Sequence, residues 1–228
     1  MSAYFAVAYP DRVEILMDGA CYSDDGTLID VQSKIWTSGY LPIGFAGRGN
    51  SSAVNLIGSA IGAISFNHSF DETVLRFAEK LATTKSRDSA QNEVDGIIVG
   101  ISETRGPSIF MFHTYRDAAA GEHYEPWTLY DAGEEFLGAP CPTPQEFKAS
   151  GLPMHWACDG LADHGVTFFQ LLRSQQAWRQ HPSAPKSFWG IGGHVEHTVI
   201  QARGAETKCL IEWPDRIGEK LNAMPEAA

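Results

Sequence analysis

Two hydrophobic runs on either side of a turn at the start of the chain predict a β-hairpin. The segments YFAVA (4–8) and VEILM (13–17) are rich in aromatic and branched residues, and Pro10-Asp11 supplies a two-residue turn between them. This turn determines which positions of the two strands face each other. The facing pairs are Tyr4 with Met17, Ala3 with Asp18, and Ser2 with Gly19. Asp18 is therefore predicted to lie beside the first residues of the chain.

Short apolar runs between turn residues predict further strands. KIW and LPIGFA form one hairpin around Ser38-Gly39, after the chain breaks at SDDG (23–26). VDGIIVGIS and PSIFMFHTY form another hairpin across ETRG, and EEFLGAP is a weaker strand. GHVEHTVIQ and TKCLIEW end the pattern as a hairpin joined by ARGAE. Loops as short as these favour antiparallel pairing.

Three segments have helical periodicity. SSAVNLIGSAIGAISF (51–66) follows a capping Asn50 or Ser51 and is apolar nearly all round, which predicts a helix enclosed between layers. SFDETVLRFAEKLATT (69–84) is amphipathic, and DHGVTFFQLLRSQQAWRQ (163–180) is the third helix. The element order predicts an α+β fold with two antiparallel sheets and helices outside them. The expected architecture is a four-layer α/β/β/α sandwich, with residues 1–228 as a single domain.

Composition narrows the functional class. The chain has 228 residues, a formal net charge of -11 at pH 7 and a hydrophobic fraction of 43%. The negative charge disfavours nucleic acids and anionic membrane surfaces as partners. The sequence contains neither an apolar run of about 18 residues nor a signal-peptide pattern, so we predict a cytoplasmic protein outside the membrane. Four cysteines lack CxxC and zinc-ligand spacing, which predicts reduced thiols; they are Cys21, Cys141, Cys158 and Cys209.

The spacing of Ser2, Asp18 and Lys34 resembles that of the proteasome β-subunit and HslV group of N-terminal nucleophile (Ntn) hydrolases. In that family a free N-terminal residue, an aspartate and a lysine form the site, and successive members are sixteen positions apart, as here. VEILMDGACYSDDGTLIDVQSKIW resembles the family's second strand, loop and lysine-bearing segment. FAGRGN resembles the turn whose glycine N–H forms the oxyanion hole, which is Gly47 here. DGIIVGISETRGPSIFMFHT and GIGGHVEHTVI resemble later strands, so the likeness covers most of the chain.

The resemblance implies a hydrolase that cleaves peptide or related amide bonds through an acyl-enzyme. It implies a threonine-peptidase-like site in which Ser2, exposed by removal of Met1, is the nucleophile. The α-amino group would act as the base, since its ordinary pKa of roughly 7.7–8.0 lies close to working pH. Asp18 and Lys34 would tune this group, and Gly47 would stabilise the oxyanion. The resemblance implies no metal and no organic cofactor.

Partners and alternatives also follow from the resemblance. It implies a homo-oligomer, in a ring, with the 51–66 helix partly buried between copies, and an ATP-dependent unfoldase as a further partner. Arg48, interpreted as a lone cation beside the oxyanion turn, suits an acidic substrate side chain. The chain departs from the family pattern at Ala139, Phe188 and Ile191, where polar residues are usual. These departures favour an alternative, a catalytically inactive structural or assembly subunit; a small-molecule amidase with an enclosed pocket is a third hypothesis.

Other chemistry-bearing residues are given simpler interpretations. His194 and His197 lie on opposite faces of a predicted strand, so they cannot readily share one metal ion. A cluster in CDGLADHG has metal-ligand or acid–base chemistry, but capping of the following helix is the simpler interpretation. Its members are Asp159, Asp163 and His164. Gly192-Gly193 is interpreted as a site of tight backbone packing rather than phosphate binding.

Overall fold

The computed structural model describes residues 2–84, 93–115, 124–176 and 188–222. Over these residues the chain is a mixed α+β protein with twelve strands and four helices. The strands form three sheets, and every pair of neighbouring strands is antiparallel. The predicted fold class is therefore confirmed at this level.

The first five-stranded sheet brings the two ends of the described chain together. Its strands, in spatial order, are β10 (Glu135–Gly138), β1 (Tyr4–Ala8), β2 (Arg12–Asp18), β11 (His194–Gln201) and β12 (Gly204–Glu212). Tyr4 lies opposite Met17, which confirms the predicted register of the opening hairpin. One step further, the Asp18 N–H donates to the Ala3 carbonyl at 3.2 Å. The other edge of β2 pairs with β11, so that Asp18 faces Val195.

The second five-stranded sheet comes from the middle of the chain. Its strands, in spatial order, are β5 (Ile35–Thr37), β6 (Ile43–Gly49), β7 (Val94–Ser102), β8 (Gly106–His113) and β9 (Tyr130–Asp131). A third sheet of two strands pairs β3 (Ala20–Tyr22) with β4 (Leu28–Val31). The prediction of only two sheets is therefore wrong. The SDDG break is the turn inside this small sheet, where the Asp25 carboxylate accepts from the Thr27 N–H at 3.1 Å and stabilises the reversal.

Two helices follow β6 at the predicted places: α1 (Ser51–Ser65) and α2 (Phe70–Thr84). The Asn50 side chain caps α1. Only one face of α1 is buried, since Ile61 is inaccessible whereas Leu56 and Phe66, beside the helix end, are 72% and 62% exposed. The prediction that this helix is enclosed on all sides is wrong for the described part of the chain.

The remaining helices are α3 (Pro144–Ala149) and α4 (Ala162–Arg173). The third predicted helix ends at Arg173, earlier than expected, and its predicted residues 177–180 lie outside the described residues. Helix α3 is absent from the elements predicted above. Its signal is nevertheless present, because Thr143 and Glu146 form a capping box around a proline at the first helical position.

Three apolar clusters connect the sheets and helices. The first packs α4 against the first sheet, the second lies between the two five-stranded sheets, and the third packs α1 and α2 against the second sheet. Representative members are, in that order, Leu16 and Phe169, Ile15 and Ile97, and Phe45 and Phe77. Within the described ranges, none of the helices combines the length and the apolar character needed to cross a membrane.

Candidate active site

Ser2 and Lys34 meet where the opening hairpin ends. Lys34 lies just before β5 and places Nζ 2.7 Å from Ser2 Oγ and 3.3 Å from Asp18 Oδ2. Nζ also donates to the Ala20 carbonyl at 2.5 Å. The side chains of Lys34 and Asp18 are only 8% and 0% exposed. The buried ammonium thus has three oxygen acceptors for its three N–H bonds.

Main-chain N–H groups from three segments hold the Asp18 carboxylate. Oδ1 accepts from the Ala3 N–H at 2.7 Å, and Oδ2 accepts from the N–H groups of Ala20 at 3.1 Å and Gly192 at 3.4 Å. A buried carboxylate requires such partners, because burial without them disfavours the charged form. Asp18 therefore fixes the position of Lys34 relative to Ser2. The structure brings together the three residues whose spacing carried the resemblance.

Gly47 lies in β6, which has β5 on one side and β7 on the other. Asn50 donates its N–H toward the chain leading into β7, whereas the carbonyl of Ile43 accepts from the β5 side. Because hydrogen-bonding directions alternate along an antiparallel strand, Gly47 directs its N–H toward the β5 side. That is the side on which Lys34 precedes β5. This orientation is compatible with the oxyanion-hole role, which stays a prediction.

Arg48 is already paired within the protein. Its Nε lies 2.7 Å from both oxygens of Asp95, and the hydroxyls of Tyr4 and Tyr115 donate to the same carboxylate at 2.7 Å each. Burial would lower the pKa of Arg48, but the Asp95 carboxylate outweighs burial and raises the pKa above its usual value. Arg48 is thus not a lone cation. Its assignment as a ligand for an acidic substrate side chain stays a prediction.

The pair Gly192-Gly193 supports Asp18 from a third direction. A Cβ at Gly192 would lie 2.6 Å from Asp215 Oδ2 and 2.7 Å from an Arg173 nitrogen, and Gly193 has a φ of +74°. Arg173 and Asp215 form a buried ion pair, and Asp215 also accepts from the Gly193 N–H at 2.8 Å. The interpretation of this pair as tight backbone packing is confirmed. Sequence reasoning missed Arg173 and Asp215, which are 42 positions apart and give no local motif.

Three positions at which the sequence departs from the family pattern contribute apolar packing. Ile191 is buried in the cluster beneath α4, and Ala139 packs against the same cluster. The ring of Phe188 contacts that of Tyr22, with centroids 5.2 Å apart. Polar support for Asp18 on this side comes instead from the Gly192 N–H.

The other candidates do not converge on one centre. His194 and His197 face opposite sides of β11 as predicted: His197 Nε2 is 2.8 Å from a Glu14 oxygen, and His194 Nε2 is 3.6 Å from a Glu196 oxygen. Across the described segments, no group of three or more His, Cys, Asp or Glu side chains could hold a metal ion. This includes Asp159, Asp163 and His164.

Glu14 takes the capping role that the sequence analysis gave to the CDGLADHG cluster. Among the described residues, no side chain at the N-cap position Leu161 caps α4; instead a Glu14 oxygen from β2 accepts the Leu161 N–H at 2.8 Å. Burial would raise the pKa of Glu14, but hydrogen bonds from His197, Leu161 and Arg12 together lower it to about 2. The predicted cap is therefore wrong, because a carboxylate from a neighbouring strand already occupies the helix start.

Comparison with known protein families finds no matching family, and no curated protein matches the chain.

Proposed function

We propose that this protein is an N-terminal serine hydrolase of the Ntn type that cleaves peptide or other amide bonds. The observation that carries the proposal is the buried Lys34 ammonium, which lies between the Ser2 hydroxyl and the Asp18 carboxylate. A serine hydroxyl is a weak nucleophile unless its proton is removed. A cation 2.7 Å from Oγ favours the negative charge that develops on this oxygen as it attacks. Asp18, 3.3 Å from the same nitrogen, orients the cation.

The base in this proposal is the α-amino group of Ser2, freed by removal of Met1. The neutral amine takes the hydroxyl proton as Oγ attacks the carbonyl carbon, and then gives it to the leaving amine. Water next attacks the resulting ester with the same amine as base, which releases the acid and regenerates Ser2. A Gly47 N–H directed at the oxyanion would contribute about 2.7–4 kcal/mol, the effect of one such donor in a known hydrolase.

The packing supports an Ntn-type four-layer α/β/β/α sandwich, which we propose as the architecture of a single domain. An apolar cluster lies between the two five-stranded sheets, α4 packs on the outer side of one, and α1 and α2 pack on the other. The site lies where the end of the first sheet meets the segment before β5. In such a layering Ser2 approaches the space between the sheets, where an extended peptide substrate would enter.

The test is the intact mass of the purified protein before and after incubation with a serine-reactive acylating probe. We expect loss of Met1 and a single adduct on Ser2. The Ser2→Ala variant should take no label, whereas Ser51→Ala, which removes an exposed hydroxyl at the start of α1, should label like the wild type. A retained Met1, or a free Ser2 that resists several classes of probe, would reject the proposal.

A second function, that of a structural or assembly subunit without catalysis, is favoured by one observation. Ile191 and Ala139 place apolar side chains where active relatives of the resembled family carry polar ones. Under this alternative the contact between Lys34 and Asp18 only anchors the first strand. The same mass measurement separates the two functions, because a structural subunit has no need of a free Ser2.

A further inference from the structure

The peptide bond between Ser2 and Ala3 is held at both of its polar groups. Its N–H, from Ala3, donates to Asp18 Oδ1 at 2.7 Å. Its carbonyl, from Ser2, accepts from Arg48 Nη1 at 3.5 Å. Asp18 ends β2 in the first sheet, whereas Arg48 lies in β6 of the second sheet. The plane of this peptide is therefore held from both sheets.

Arg48 is itself held by a built network. The Asp95 carboxylate binds Nε of Arg48 through both oxygens and accepts one hydroxyl each from Tyr4 and Tyr115. Asp95 and Tyr4 are buried. Burial, followed by the Asp95 charge, raises the pKa of Tyr4 well above its usual value, so Tyr4 remains a hydroxyl donor. These contacts satisfy the carboxylate and leave Nη1 of Arg48 directed at Ser2.

We propose that Arg48 and Asp95 are positioning residues for the nucleophile Ser2. With the Ser2–Ala3 peptide plane fixed, rotation about the Cα–C bond of Ser2 is restricted, and Oγ is directed at Lys34. This inference rests on the proposed function and replaces the interpretation of Arg48 as a substrate ligand. The position requires arginine because two different nitrogens serve Asp95 and Ser2, whereas a lysine has only one nitrogen.

The test uses the Arg48→Lys variant, which keeps the charge that Asp95 needs but cannot also reach Ser2. Arg105→Lys is the matched control, since Arg105 and Asp131 form an ion pair in which both side chains are about half exposed. Two quantities are compared with the wild type: hydrogen exchange of the Ala3 amide by NMR, and acylation of Ser2 over a range of probe concentrations. The Ala20 amide, which donates to the other oxygen of Asp18, is the internal reference.

We expect Arg48→Lys to speed exchange at Ala3 while Ala20 is unchanged. The maximal acylation rate should fall about tenfold at an unchanged apparent Kd for the probe, because small misplacements of reacting groups are costly. Arg105→Lys should match the wild type. Asp95→Asn, which weakens the hold on Arg48 by another route, should reproduce both effects.

Two results would overturn the inference. Unchanged Ala3 exchange in both Arg48→Lys and Asp95→Asn would show that the network does not hold the peptide. A raised probe Kd at an unchanged maximal rate would make Arg48 a substrate ligand. If wild-type Ser2 takes no label, the proposed function fails, and the exchange comparison alone then decides whether Arg48 and Asp95 hold the terminal peptide.

Discussion

Lys34 and Asp18 are buried charges that stabilise the fold only as a pair. Moving either charge out of water is unfavourable. This cost is offset by the attraction between the two charges and by a main-chain hydrogen bond that each side chain makes with Ala20. Removal of one member leaves the other buried with its charge uncompensated. Substitution of Lys34 or Asp18 should therefore lower the free energy of unfolding as well as impair the proposed chemistry.

We predict that Lys34→Met lowers the free energy of unfolding by about 3 kcal/mol, because Asp18 loses its only cation contact among the described residues. It should also abolish acylation of Ser2. The double variant Asp18→Asn/Lys34→Met should recover part of the stability but none of the acylation. Urea unfolding and probe labelling measure the two effects, and Lys80→Met, at an exposed position of α2, is the control. A double variant as unstable as the single one would contradict this explanation.

At the scale of single residues, spacing along the chain pointed to Ser2, Asp18 and Lys34 as members of the candidate site. It did not point to the residues that surround them. The hairpin register follows from a two-residue turn and is local, so Asp18 could be placed from the sequence. Arg48 and Asp95 are 47 positions apart, and they meet only because β6 and β7 pair. No local pattern marks such a pair. For this reason the sequence alone indicates a lone cation at Arg48.

At the scale of elements, α4 depends on a strand for its first turn. The Glu14 carboxylate from β2 accepts the N–H of Leu161, and a negative group at a helix N-terminus is also favoured by the helix dipole. His197 of β11 binds the same oxygen. One buried carboxylate therefore connects two strands of the first sheet to the helix that covers them.

Because of this connection, the free energy of unfolding depends on pH. The pKa of Glu14 is about 2 in the fold against an ordinary value of 4.5, so its contribution is present above pH 4.5 and is lost as pH falls toward 2. We predict that Glu14→Gln is less stable than the wild type by about 3 kcal/mol at pH 7, and that the difference shrinks below pH 4.5. Unfolding free energies measured from pH 7 to pH 2 test this. Glu206→Gln, on the exposed strand β12, should show no such trend; a pH-independent deficit in Glu14→Gln would contradict the assignment.

The turn at Gly192 gives a second prediction for an element. Gly192→Ala should lower the free energy of unfolding by about 1–3 kcal/mol, because its Cβ would meet the Arg173–Asp215 pair and the turn would have to shift. The shift would also move an N–H away from Asp18. Gly39→Ala makes the same chemical change where the described residues, apart from the two chain neighbours of Gly39, place no atom within 4 Å of the added Cβ, so it should be nearly neutral. Chemical denaturation compares the two, and equal losses would show that the close contacts do not matter.

Elements with many periodic positions were predictable, whereas two of the short strands were not. The strands β7 and β11 and the helix α2 fall where the apolar pattern placed them, because each buries a long face. The strands β3 and β4 have three and four residues, too few for a period to appear. The apolar pattern also gives no sign that α4 ends at Arg173.

At the scale of the whole molecule, one apolar surface lacks a partner within the described chain. Leu56 on α1 and Phe66 beside its end are largely exposed, and the Phe66 ring contacts that of Tyr40, which is itself 75% exposed. The all-round apolar pattern of the 51–66 segment thus reflects two faces, of which only one is covered by the second sheet. Exposed apolar surface of this kind is typical of an interaction site.

We predict that copies of this chain associate through that surface, as the resemblance implies. Sedimentation velocity should show an oligomer for the wild type. Leu56→Glu or Phe66→Glu should each raise the dissociation constant more than tenfold, which is more than about 1.4 kcal/mol in binding free energy. The reason is that each substitution places a charge in an apolar interface. Met154→Glu makes the same kind of change at a still more exposed apolar side chain outside α1 and should leave association unchanged. A wild type that stays monomeric at high concentration would reject assembly through α1. A wild-type oligomer that tolerates both α1 substitutions would instead place the contact on another face and leave the exposure of Leu56 and Phe66 unexplained.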